Sequence, residues 1–365
     1  MQALRIYAGK EARVMLAREG LQPSSVRVIP AAAGGPKGLI LGPLDRFIFG
    51  SWLTTSTQAV HLVGASIGAW RMATACLKDP VPALERLQRD YIAQHYELAP
   101  GQKRVPASLV SQQFRENLDL FYGGRVQELL THPRYRLHIL TSRGRGLFQR
   151  EHPFFTPMGY ALAIAANALD RRMLGLSLER VVFSAQPGVL PFATNDFPTR
   201  EMPLVEANFM QALQASCSIP FLLQAVHDIA GAPLGAYWDG GITDYHLHLN
   251  YSGAPLDGQW GVGQGLVLYP HFQKAVVPGW FDKPWKWRHA SSKFLDAMVV
   301  LAPNPEWVRT LPNGKLPDRN DFTTYGNDLA GRMRAWNGAT SAAMQLADEF
   351  AAWLERPQMA QVLPL

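Results

Sequence analysis

The chain has 365 residues, 47% of them hydrophobic and 10% aromatic, enough to bury a substantial core in one large or two modest domains. Its 35 basic and 29 acidic residues leave a formal charge of +6, which favours anionic surfaces, but no basic run reaches the length of a nucleic-acid arm, so no nucleic-acid partner is expected. Cys76 and Cys217, both in apolar helix-like segments, suit reduced buried thiols rather than a disulfide framework, and the lack of CxxC or HExxH patterns argues against zinc.

The first twenty residues carry Lys10, Glu11, Arg13, Arg18 and Glu19 through a helical pattern, with neither the apolar run nor the cleavage site of a signal peptide. Nowhere do eighteen apolar residues follow one another, so the expectation is a cytoplasmic protein, peripheral at membranes at most. Beyond this start, strands and helices alternate. The pattern predicts a strand at 26–32, a helix at 36–50, a strand at 59–64 and a helix at 66–77. Helices follow through 80–130, broken at Pro100 and at Gly123 and Gly124, then a strand at 135–141. A helix at 157–174 contains the most apolar stretch, 158–169, which reads as a buried helix. A strand at 179–185, a helix at 204–217, strands near 226–229 and 235–238, and a strand at 265–269 complete the alternation.

Residues 251–264, with four glycines, are the most linker-like, and a long helix at about 327–355 is expected to pack back on the core through Leu329, Met333, Trp336, Ala343, Leu346, Phe350 and Trp353. Such alternation implies an α/β fold, a mostly parallel central sheet covered by helices on both faces, with the chemistry at the carboxyl ends of strands.

Three segments carry chemistry at those ends. Gly64-Ala65-Ser66-Ile67-Gly68 lies between the strand-like 59–63 and the helix-like 69–77, the context of a GxSxG nucleophile elbow. A sharp turn exposes the Ser66 hydroxyl, Gly64 and Gly68 remove clashing side chains, and the helix N-terminus favours negative charge there. Upstream, Ala33-Gly34-Gly35-Pro36-Lys37-Gly38 follows the strand 26–32; its glycines supply amides unencumbered by side chains, as an oxyanion hole needs, though an ordinary βα turn also favours glycine. Downstream, Trp238-Asp239-Gly240-Gly241 follows a strand-like stretch 173 residues beyond Ser66. A buried carboxylate with a raised pKa can take the serine proton, and the two glycines allow close approach; taken alone, the stretch reads better as a plain turn opened by aspartate.

In this order, and with Ala215-Ser216-Cys217-Ser218-Ile219-Pro220 shortly before the aspartate, the segments resemble the patatin-like phospholipase family over about 26–270. The resemblance implies a three-layer α/β/α fold and lipid acyl hydrolysis by a Ser-Asp dyad: Ser66 as nucleophile, Asp239 as base, and the loop Gly34, Gly35, Pro36, Lys37 and Gly38 as the oxyanion hole, through the amides around its glycines. No metal or organic cofactor is implied, and the partner is a phospholipid or other acyl ester. The chain is expected to form a single domain over 1–365, with a core of about 26–270 and a helical C-terminal extension of about 276–365. One departure is the run Ile242-Thr243-Asp244-Tyr245-His246-Leu247-His248, where the family often has asparagine and proline, so the wall beyond the aspartate is left open.

Other clusters have competing readings. Trp280, Phe281, Trp285 and Trp287, interleaved with Lys283, Lys286 and Arg288, suit a lipid-water interface or a covered core. Arg143, Arg145 and Arg150 could meet a phosphate headgroup or form a solvated loop. His246 and His248 lack the companion cluster of a metal site. The rivals to the dyad are an α/β-hydrolase triad, whose histidine would come from His271 or His289, and a non-catalytic lipid- or partner-binding protein on the same fold.

Overall fold

The computed structural model describes residues 1–96, 105–188, 190–253 and 265–365, so Pro100 and most of the linker-like stretch lie outside the described residues. The strands are β1 (Leu4–Ala8), β2 (Val26–Ala31), β3 (Val60–Ala65), β4 (Tyr135–Gly144), β5 (Leu178–Ser184), β6 (Thr199–Pro203), β7 (Val226–His227), β8 (Ala236–Asp239), β9 (Leu266–Pro270), β10 (Met298–Pro303) and β11 (Val362–Pro364). They form one sheet in the order β11-β1-β10-β9-β2-β3-β4-β5-β6. Along that path only β1–β10 and β4–β5 are antiparallel. β2, β3, β9 and β10 are buried at every position, Arg27 and His61 included, and are otherwise almost wholly apolar: a parallel sheet covered on both faces leaves no polar side. The fold is a three-layer α/β/α sandwich around this mostly parallel sheet.

Several expected elements change shape. The stretch 36–50 begins as a tight 3-10 helix, Gly35–Leu41, becomes α-helical over Gly42–Phe47 and widens into a π turn, Ile48–Trp52. Pro36, Pro43, Gly38 and Gly42 within this run deny it a regular i to i−4 ladder. The final helix is two, Leu329–Ala342 and Met344–Glu355, meeting at Ala343. Trp336, Ala343, Leu346, Phe350 and Trp353 are buried, and Phe350 sits edge-on to Phe47 and Trp52 at 5.9 and 5.8 Å. The C-terminal segment also enters the sheet, through β10 between β9 and β1 and through β11 at the edge.

The helix expected to be buried is the clearest correction. Phe155–Leu169 forms, but Thr156, Gly159, Tyr160, Ala163 and Asn167 face inward, while Leu162 and Leu169 are 57% and 80% exposed and Phe155 and Met158 are also open. Its amphipathicity is inverted: small and polar residues pack, large apolar ones do not. Gly159 lies against the Phe148 ring, where an added Cβ would stand 3.1 Å from the ring edge, and Asn167 donates to Asp282 at 2.9 Å. Apolar composition alone cannot tell which side of a helix finds a partner. Among the described residues no helix is long and apolar enough to cross a membrane.

Candidate active site

Ser66 follows the last residue of β3 and precedes the helix Ile67–Ala75, all nine residues of which are buried. Its φ of 57° and ψ of −131° are strained for a residue with a side chain, at a cost of about 1–3 kcal/mol. The surroundings hold that turn. The Ser66 amide donates to Ser216 Oγ at 3.0 Å, and that hydroxyl donates to the Leu140 carbonyl at 2.7 Å. A Cβ on Gly64 would lie 2.4 Å from Ala69 Cα, and one on Gly68 1.9 Å from the Ala31 carbonyl oxygen, so both elbow positions admit glycine alone.

Asp239 reaches Ser66 through the sheet. β3 pairs with the first part of β4 and stops where Ala65 lies opposite Leu140; β8 runs the other way along the same edge of β4 and ends where Asp239 lies opposite Thr141. The carboxyl ends of β3 and β8 therefore meet end to end, a different arrangement from two parallel strand ends side by side. Ser66 is 3% and Asp239 5% exposed, and the Ser66 side chain lies close enough to the Asp239 carboxyl to lower its pKa. Asp239 Oδ1 also accepts from the Gly241 amide at 2.7 Å, and its own amide donates to the Ser218 carbonyl at 2.9 Å. Burial raises its pKa above the ordinary carboxylate value, against the Ser66 side chain, the positive charge of Arg319 and the Gly241 amide. A Cβ on Gly240 would stand 2.2 Å from the Leu140 carbonyl oxygen, and one on Gly241 2.6 Å from Ala33 Cβ.

The glycine loop packs against the start of the helix that follows Ser66. Gly34 packs under Phe272, where a Cβ would come within 2.6 Å of the ring. Gly35, at φ 57°, opens the 3-10 helix that contains Pro36, Lys37 and Gly38, and Gly38 sits against the Ile67 side chain. N–H groups at the start of a helical turn have no intrahelical acceptor and remain available. Beside Asp239 a narrow cleft of about 20 Å³ is lined by Ala33, Pro220, Tyr245, Trp280, Lys283 and Arg319 among others. A roomier depression of about 790 Å³ near Lys10, Lys293 and Leu365 shares no lining residue with it.

Other expected site residues resolve differently. Arg143 and Arg145 clasp Glu179 at 2.7 and 2.9 Å and Arg150 pairs with Asp228 at 2.8 Å, so they are neither a free loop nor an open cationic site. His246 and His248 bond the Ala275 and Val276 carbonyls, and among the described residues no His, Cys, Asp and Glu cluster could hold a metal. His271 turns to the Gln273 carbonyl, with burial pushing its pKa down to about 3, and His289 turns to the Asp282 carbonyl. In 280–288, Phe281 is buried, Trp280 packs beside it and Trp285 is half-buried, which leaves Trp287, 67% exposed, as the open aromatic. Cys76 and Cys217 are free and buried. In the departure from the family pattern, Asp244 is clamped by Arg180 at 2.6 Å and Tyr245 walls the cleft. Ser216, Lys283 and Arg319 gain their places only through tertiary contacts; for Ser216 the available signal was its place in the Ala-Ser-x-x-Ile-Pro stretch.

The sequence matches the patatin-like phospholipase family over residues 55–246, just over half of the chain, and the chain belongs to that family. Membership supports lipid acyl hydrolysis in general terms. No curated protein matches the chain. Among solved structures, VipD from Legionella pneumophila aligns at 14% identity and a TM-score of 0.38, covering 89% of this chain and 67% of that one.

Proposed function

We propose that the protein is a lipid acyl hydrolase of the carboxylic ester type, working through Ser66 and Asp239. The observation that carries this reading is the buried Ser66 side chain set beside the Asp239 carboxyl at a strained elbow, with His271 and His289 both turned to backbone carbonyls. Asp239 takes the hydroxyl proton as Ser66 Oγ attacks the ester carbonyl; the tetrahedral oxyanion is met by amides of the loop at Gly34, Gly35 and Gly38. The alcohol leaves with the proton from Asp239; the carboxylate then takes a proton from water as it attacks the acyl-serine, and returns it to Ser66 Oγ as the C–O bond to the serine breaks and the acid is released. A raised pKa suits Asp239 to both transfers. Labelling with a fluorophosphonate, followed by peptide mapping and an ester panel from short chromogenic esters to phospholipids, tests the reading: the label belongs on Ser66, and an unlabelled, inactive protein would leave the binding-protein alternative.

The site is placed to work at a lipid surface. Phe155–Leu169 presents an open apolar face; at its C-terminal end Arg288, next in sequence to the exposed Trp287, donates to the Ala168 carbonyl at 3.4 Å, and Lys286 and Arg172 are exposed. On the inner side of that helix Tyr160 packs against Trp238, the neighbour of Asp239, at 6.2 Å, and against Phe221 at 5.5 Å. Apolar side chains with cations around them suit the headgroup boundary of an anionic membrane. Leu162→Glu is expected to weaken binding to anionic vesicles and slow hydrolysis of aggregated phospholipid while sparing a soluble ester; equal loss on both would remove this surface from the reading. The chain is further proposed to fold as one unit, with truncation before β10 expected to abolish cooperative unfolding.

A further inference from the structure

Beside Asp239 three cations converge from three separate segments. Lys283 follows the 3-10 turn Trp280–Asp282, Arg319 precedes the helix Asn320–Tyr325, and Lys37 belongs to the glycine loop. Lys283 and Arg319 line the same cleft as Asp239. A Cβ on Gly35 would stand 3.1 Å from Arg319 Nε, which puts the guanidinium against the loop, while Lys37 Nζ lies 5.4 Å from the Phe272 ring that covers Gly34.

Several other cations of the fold are paired closely, although buried Arg332 rests on the Phe322 and Trp336 rings instead. Arg71 meets Asp45 at 2.7 Å, Arg180 meets Asp244 at 2.6 Å, and Arg171 and Arg288 share Asp282 at 2.9 and 2.8 Å. Among the described residues none of Lys37, Lys283 and Arg319 forms an ion pair. Asp318, near Lys37, pairs with Lys315 at 2.8 Å, so Asp239 is the one carboxylate lining the cleft, and it already faces Ser66 and the Gly241 amide. Burial and the like charges of their neighbours lower the pKa values of both lysines, for Lys283 even though the residue as a whole is exposed. Three positive charges gathered around a single carboxylate cost stability and concentrate an anion.

We infer that this cleft is a subsite for a net-anionic, phosphate-type group on the alcohol side of the ester substrate, held by Arg319 and Lys283 with Lys37 behind them. The inference rests on the reading of Ser66 and Asp239 as the ester-cleaving pair. A guanidinium offers a phosphate two parallel donors, and an ammonium adds a point charge. A zwitterionic choline headgroup fits less well: the Tyr245 and Trp280 rings that could face its ammonium already face Lys283 Nζ, at 3.9 and 5.6 Å. Lys37, Lys283 and Arg319 all lie outside the residues matched to the family, 55–246.

The test uses three monomeric esters with one short acyl chain: an acyl glycerol phosphate, the matching acyl glycerophosphocholine and the neutral acyl glycerol. The wild type is expected to favour the phosphate monoester at least about tenfold in kcat/KM over either of the others. Arg319→Gln and Lys283→Gln should each reduce that ratio about tenfold or more, as loss of a charge-assisted hydrogen bond does, with Arg319→Lys restoring part of it. A substitution acting only through Asp239 would scale all three rates together; an unchanged ratio in both glutamine variants overturns the proposal, as does a wild type without preference. If fluorophosphonate fails to label Ser66 and no ester is cleaved, the hydrolase reading has failed and the subsite with it as a substrate site. Inorganic phosphate separates the sources: if it raises the Tm of the wild type but not of the variants, and no anionic ester is preferred, the site serves free phosphate and the headgroup assignment is overturned.

Discussion

Ser216→Ala is expected to damage the elbow from behind without touching the reacting atoms. The Ser216 hydroxyl is fully buried and takes part in two hydrogen bonds, accepting from the Ser66 amide at 3.0 Å and donating to the Leu140 carbonyl at 2.7 Å. Alanine orphans both backbone groups. Each buried, unsatisfied group costs about 1–3 kcal/mol, and partial relaxation makes a total loss of about 2–4 kcal/mol the expected result. Because the Ser66 amide is what that hydroxyl anchors, the strained φ of 57° loses a restraint, and the serine is expected to drift from Asp239. Urea denaturation measures the first effect and the rate of fluorophosphonate labelling on fully folded protein measures the second. We expect labelling to slow at least about tenfold where more than nine tenths of the protein remains folded. Stability within about 0.5 kcal/mol of wild type together with unchanged labelling would refute the reasoning.

Further outcomes are expected at the same site. Ser66→Ala should abolish ester hydrolysis and keep the fold; more than about a tenth of wild-type activity would end that assignment. Asp239→Asn should be nearly as damaging, and a histidine variant that matched it would favour a triad instead. Burial raises the Asp239 pKa, so the acid limb of kcat/KM should lie above the ordinary carboxylate value of about 4, with activity falling as pH drops through it. The stability sign is opposite. The folded state holds this proton more tightly than the unfolded chain, so ionised Asp239 weakens the fold above its folded pKa and the penalty is relieved as pH falls toward the unfolded value; pH-dependent unfolding of wild type against Asp239→Asn would expose a reversed trend. Gly68→Ala should lower Tm sharply, since its Cβ meets the Ala31 carbonyl oxygen at 1.9 Å, and a variant of normal Tm would contradict the close approach of the elbow to β2.

The elbow, the glycine loop and the Asp-Gly-Gly turn were legible because each is local: a few consecutive residues set the backbone and the steric limits; the 2.4 and 1.9 Å approaches at Gly64 and Gly68 are the clashes expected of an elbow, whereas Gly34, Gly240 and Gly241 are held to glycine by Phe272, the Leu140 carbonyl and Ala33. The central parallel strands were legible as apolar runs. β1, β6, β10 and β11 were not: the last is three residues long, β6 carries mixed polarity, and β10 lay in a segment read as helical. Helix Phe155–Leu169 was found but turned the wrong way, since hydropathy records what a residue prefers and not whether the fold supplies a neighbour. The residues 280–288 divide by the same logic, Phe281 inside and Trp287 outside. Ser216, Lys283 and Arg319 act through contacts with segments far away in sequence, which no spacing rule encodes.

The end-to-end junction of β3 and β8 along β4 also orders events in time. The two halves of the proposed dyad are contributed by strands that never pair with each other, so neither can hold its partner until β4 has recruited both across more than a hundred residues of chain. Closing that loop is among the slower steps of folding, after local helices have formed. On the proposed assignment, turnover reports assembly of the whole sheet: in refolding, ester cleavage lags behind recovery of helical circular dichroism, and a ribosome-bound chain that has not yet exposed β8 carries a serine without a base.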